Sequence, residues 1–142
     1  MVLNTSYNDP KVREEIDQSL GKSFTFIQRI MKSGIGSQRM LVAQVSAELM
    51  HCINADHYPT YSSIELRPKG ILVHFNKNTI THAWPIPYFA LAIYQSDGFS
   101  LHSRGQFVKY RDTDAADHKF FRKLMDEKIG WEAEHASPFP PI

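Results

Sequence analysis

Six stretches between residues 62 and 111 alternate β-favouring side chains with turn residues, at intervals that suit antiparallel neighbours in a sheet. They are Ser62–Arg67, Gly70–Phe75, Thr79–Trp84, Phe89–Tyr94, Phe99–Ser103 and Gln106–Arg111. Their β-branched and aromatic residues suit a half-buried pleated surface. The intervening Arg67-Pro-Lys-Gly70, Asn76-Lys-Asn78, Ser96-Asp-Gly98 and Arg104-Gly105 are turns of hairpin length. Side chains in a strand alternate with a period of two, which puts Ile64 with Leu66, Ile71 with Val73 and Phe75, Leu91 with Ile93, and Phe99 with Leu101 on one core-facing surface. Trp84-Pro-Ile-Pro-Tyr88 breaks the pattern, because a proline cannot donate to a ladder; the segment must lie at an edge, a bulge or a bend.

The flanks read as helices. Asp9-Pro10 is an N-cap and first helical residue, followed by a stripe of Val12, Ile16, Leu20, Phe24, Ile27 and Met31 that ends near Gly34. A second stripe, Leu41, Val42, Val45, Leu49, Cys52 and Ile53, follows Ser37; residues 24–27 and 40–45 fit short buried strands as well. After Asp114, Phe120, Phe121, Leu124, Met125 and Ile129 line one face of a last helix that Gly130 is expected to stop. A chain of 142 residues, 42% hydrophobic and 22% charged, has the size and composition of one globular domain. Residues 1–8 and 136–142 are expected to be flexible tails. The fold class is therefore α+β: two N-terminal helices, a six-stranded antiparallel sheet that is bent or a partly open barrel, and a C-terminal helix.

Charge and cysteine content narrow the function. Sixteen basic against fifteen acidic residues leave a net charge of +1, too little for a field that gathers phosphate backbones, so nucleic acid is not an expected partner. The single cysteine, Cys52, precludes an internal disulfide and favours a reduced compartment. With no leader-like N-terminus and no apolar run near the ~18 residues that span a bilayer, the chain reads as cytoplasmic and membrane association is not expected.

Motifs for chemistry are weak. Gly21-Lys22-Ser23 lacks the earlier glycine of a phosphate-binding loop, where Ile16 stands, and Gly34-Ile-Gly36 is followed by Arg39 where a dinucleotide fingerprint needs a third glycine. His51, Cys52 and His57 cluster in sequence, while His74, His82 and His102 fall in strands; neither group has an established zinc spacing, so no metal and no cofactor are expected. Cys52 reads as a core residue, since His51 beside it on a helix would point away. No catalytic residue is assigned. Aromatics concentrate around the middle strands, and Tyr58, Tyr61, Trp84 and Tyr88, with Arg67 and Lys69 of the first hairpin, are the candidates for binding a ligand or partner.

Arg67-Pro-Lys-Gly-Ile-Leu-Val73, the Trp84-Pro-Ile-Pro-Tyr88 element, Asp97-Gly-Phe-Ser-Leu101 and the closing amphipathic helix resemble bacterial pleckstrin-homology-like domains over residues 60 to 130. The resemblance implies a partly open barrel plugged by a helix and used as a platform for partners. Phosphoinositide binding is not carried over, because Arg67 and Lys69 stand without the dense basic motif of lipid-binding members, and Trp131 falls after Gly130. These readings converge on a non-catalytic binding or assembly module that recognises another protein chain or a second copy of itself. The alternative is a helix-grip protein that encloses a small hydrophobic ligand in an aromatic-lined cavity.

Overall fold

A computed structural model describes residues 2–5, 9–32, 34–54, 59–77, 80–96 and 98–135. Among these residues, eight strands form a single antiparallel sheet in the order β1-β5-β4-β3-β2-β8-β7-β6. They are β1 (Leu3–Asn4), β2 (Met40–Val45), β3 (Tyr61–Arg67), β4 (Gly70–Lys77), β5 (Ile80–Pro87), β6 (Ala92–Gln95), β7 (Phe99–Ser103) and β8 (Gln106–Arg111). Three helices accompany them: α1 (Pro10–Leu20), α2 (Phe26–Met31) and α3 (Ala115–Glu134).

The connectivity forces the sheet to curl. Strands β5 and β6 are six places apart in the sheet, which in a flat array is about 29 Å. Yet Pro87 and Ala92 are joined by a short turn at Tyr88–Ala90, a reach of at most about 18 Å. The sheet closes toward itself without a ladder between its ends. Pro85 and Pro87 lie beyond the short β1 ladder, which pairs only Ala83 and His82, so they occupy an open edge, where proline is tolerated.

Two faces of the sheet are covered. The concave face carries the main core, in which Ile64, Leu66, Ile71, Val73, Phe75, Ile86, Leu101 and Val108 meet Phe120, Phe121 and Leu124 of α3. On the convex face Ile16 and Leu20 of α1 pack on Leu72 and Ala83, the opposite parity of β4 and β5. The alternation expected along β3, β4 and β7 is present, with the Leu72 face covered in addition.

Several expectations are corrected. The sheet has eight strands, not six, because Leu3–Asn4 within the expected N-terminal tail pairs with β5 and Met40–Val45 is a strand. The long first helix is two: Gly21 adopts φ 81° and its amide caps the Asp17 carbonyl, and a positive φ is available to glycine at little steric cost. Of the two readings left for residues 40–45 the strand holds, as β2, and in place of a second helix it is followed by a 3₁₀ turn at Ala47–Cys52 that buries Leu49 and Cys52. Phe89 lies exposed in the Tyr88–Ala90 turn and not in a strand. Gly130 does not stop α3, which continues through Trp131 to Glu134; a lone glycine costs a helix only about 1 kcal/mol. The expected tail 136–142 lies outside the described residues.

Candidate functional site

The residues of the first hairpin form an internal anchor. The buried Arg67 guanidinium donates to Asp17 Oδ1 on α1 and to the Gly21 carbonyl, each at 3.1 Å, and pairs with Glu65 through Nε. Lys69 donates its amide to the Leu20 carbonyl (2.9 Å), Tyr88 donates its amide to the Lys69 carbonyl (2.9 Å), and the Tyr88 hydroxyl donates to the Arg67 carbonyl at 3.3 Å. Three expected binding residues are therefore brought together, but as a knot joining α1, the β3–β4 turn and the β5 exit. Only the Lys69 side chain faces solvent.

The other aromatic candidates do not share an open surface. Trp84 and Tyr88 are buried in the main core, where their large apolar area is best satisfied. Burial pushes the Tyr88 hydroxyl up, with Glu127 adding to the effect, so it acts as a neutral hydrogen-bond donor. Tyr61 is half-buried at the start of β3 with the Arg39 guanidinium 4.5 Å over its ring. Tyr58 lies outside the described residues, as does His57. His74 and His102 are half-buried; His74 lies 3.8 Å from Glu65 and His102 3.0 Å from the Ser100 hydroxyl.

Four exposed apolar side chains gather elsewhere, on α2. Phe26, Ile27, Ile30 and Met31 are 77%, 69%, 62% and 79% exposed. At 100° per residue these positions fall within an arc of about 140°, leaving Gln28 and Arg29 on the other side. The helix is held by polar contacts. Thr25 and Gln28 form a reciprocal capping box, Arg29 Nε donates to the Phe24 carbonyl at 3.1 Å, and Lys32 pairs with Glu127 of α3 at 2.7 Å. Phe24, buried in the main core, roots the segment. Sequence reasoning placed Ile27 and Met31 on the core side of one long helix; the break at Gly21 turns them outward.

A second constellation joins residues that are remote in sequence. The ligand atoms of His51, Cys52 and His82 lie within 4.8 Å of one another. His51 Nε2 is 3.4 Å from Cys52 Sγ, which corrects the expectation that His51 points away: the segment is the end of a 3₁₀ turn, not the middle of an α-helix. His82 meets His51 edge to face, with ring centroids 5.3 Å apart. Burial pushes the Cys52 thiol up to about 11 against the opposing influence of Lys77, so it is protonated at neutral pH and a poor nucleophile. Burial, then the nearby His51 and Lys77, lower His82 and keep it neutral. No protein-family model, curated protein or solved structure matches the chain. Among the described residues no helix is long and apolar enough to cross a membrane.

Proposed function

We propose that the chain is a non-catalytic recognition module that binds another protein chain through α2, with a second copy of itself as the simplest partner. The observation that carries this reading is the outward apolar arc of Phe26, Ile27, Ile30 and Met31 on a helix capped by Thr25 and tied to α3 through the Lys32–Glu127 pair. An exposed apolar patch marks an interaction surface, and two-fold self-pairing is the commonest way to cover one. The interior favours this over enclosure of a small hydrophobic ligand: Leu66, Ile71, Val73, Phe75, Ile86, Leu101, Tyr110, Phe121 and Leu124 retain no accessible surface, so no water-sized space opens between them. The pleckstrin-homology-like resemblance supports a platform role, since an open curled antiparallel sheet plugged by a C-terminal helix is the architecture it implies. Trp131 falls in the last turn of α3, 6.2 Å from Tyr88, and not midway along the helix, so both departures from that pattern remain.

Sedimentation velocity over a wide concentration range tests the proposal. A concentration-dependent dimer that is lost in the Phe26→Ser/Ile30→Ser double variant is the expected result. A strict monomer that instead pellets with anionic liposomes at low salt overturns it.

A further inference from the structure

We propose that His51, Cys52 and His82 form a metal site for a thiophilic divalent ion, zinc(II) by class. Two sequence neighbours at the end of the Ala47–Cys52 turn and one residue of β5 present a sulfur and two imidazole nitrogens within 4.8 Å of one another. In a tetrahedral zinc site, with Zn–S of about 2.3 Å and Zn–N of about 2.0 Å, the ligand atoms stand roughly 3.3–3.6 Å apart. The His51 Nε2 to Cys52 Sγ distance of 3.4 Å already meets that spacing. One thiolate and two imidazoles are a donor set that suits zinc and not magnesium or calcium, which take oxygen.

An independent observation points to a ligand. His82 Nδ1 is buried and without a hydrogen-bond partner among the described residues, and a buried polar atom left unpaired costs about 1–3 kcal/mol. That nitrogen is the position from which an imidazole offers a lone pair to a cation. His51 is exposed, which supplies the entry path, and among the described residues no fourth ligand joins the three. Lys77, whose ammonium reaches the His51 carbonyl at 3.4 Å, is a competing positive charge at the rim. On binding, the Cys52 S–H bond breaks, its proton passes to solvent, and the sulfur lone pair forms the S–Zn bond; no electron is transferred. The metal would clip the Ala47–Cys52 turn to β5. The sequence shows no zinc spacing because His82 comes from another element, β5.

The full chain, purified without an affinity tag and stripped with a chelator, is titrated with Zn²⁺ alone in competition with a chromophoric chelator, and separately with Co²⁺. The expected result is uptake of about one equivalent of zinc. Cobalt should add a near-ultraviolet thiolate charge-transfer band that Cys52→Ser abolishes. His51→Ala, at an exposed position that leaves the fold intact by circular dichroism, and His82→Gln should each weaken zinc binding at least about a hundredfold, beyond what the loss of an outer-shell partner costs. His102→Ala should bind as the wild type does. Uptake of less than a tenth of an equivalent, or wild-type affinity in a folded His51→Ala or His82→Gln protein, overturns the site.

Discussion

Phe99 and Phe121 lie ring on ring, their centroids 4.0 Å apart and their planes 8° from parallel. Phe121 also meets Tyr110 at 6.1 Å, so one side chain of α3 contacts both β7 and β8. Truncation of Phe121 to alanine is expected to cost about 4 kcal/mol, as large-to-small changes in a dry core do. Leu124→Asp, which places an unpaired carboxylate at a fully buried position, should leave no cooperative thermal transition. A melting temperature within a degree or two of wild type for the aspartate variant would rule out this role for α3.

Arg67→Met removes the guanidinium that Asp17, Gly21 and Glu65 share. Methionine keeps much of the stem's packing, so the loss should come from the stranded carboxylates and carbonyl, about 2–3 kcal/mol in the urea-unfolding midpoint energy. The same variant should raise hydrogen-exchange rates in α1 more than in β7, because α1 is the element that Arg67 tethers.

A Cβ at Gly70 would come 2.2 Å from the Ile86 carbonyl oxygen and 2.8 Å from Leu20. The backbone of β5 cannot withdraw without breaking the ladder that pairs Gly70 with Pro87. Gly70→Ala should therefore destabilise by about 3 kcal/mol, the upper range for overpacking. Gly105→Ala, where nothing lies within 4 Å but φ is 81°, should cost less, through backbone strain alone.

Burial pulls the Glu65 carboxyl up, but the nearby His74 imidazole and the Arg67 guanidinium outweigh it and hold the group below its ordinary 4.5. A carboxyl with a depressed folded value contributes stability that is fully present above 4.5 and is lost as pH falls through the folded value. Denaturant midpoints measured from neutral pH downward should decline below 4.5, and Glu65→Gln should flatten that acid limb. An acid limb unchanged in Glu65→Gln would assign the loss to other carboxylates.

The hairpins were legible because their turns and alternation are local: Arg104 and Gly105 both adopt positive φ, the demand that a two-residue turn makes. Strand β2 fitted helix and strand alike, for a local reason of a different kind. Its register shifts between Val42 and Gln44, so Ala43 is an extra residue and the inward positions Met40 and Val45 lose the period of two. A bulged strand with apolar residues three apart imitates a helix. The stripe through Phe24 kept its helical period past Gly21 while the face it presented changed, which no periodicity reveals. Arg67 read as a binding candidate because its partners, Asp17 and the Gly21 carbonyl, lie 50 and 46 residues away. His82 reaches His51 and Cys52 only through the β4–β5 register, where it pairs with Phe75.

The place of β2 in the sheet has a consequence for how the chain assembles. Strands β3, β4 and β5 form one block of sequence neighbours and β6, β7 and β8 another, each able to form from nearby contacts. Among the described residues their ladders are bridged by β2 alone, which pairs with β3 on one side and β8 on the other, while its lead-in bonds Ile35 and Ser37 to Leu66 and Ile64. The insertion of this strand is the non-local, late step. Until it happens β3 and β8 both offer open edges, and the β2 of a neighbouring molecule fits them as well as the chain's own. Substitutions that delay β2, such as Val45→Gly, should therefore divert refolding at high concentration into strand-exchanged oligomers while sparing the monomer refolded from dilute solution.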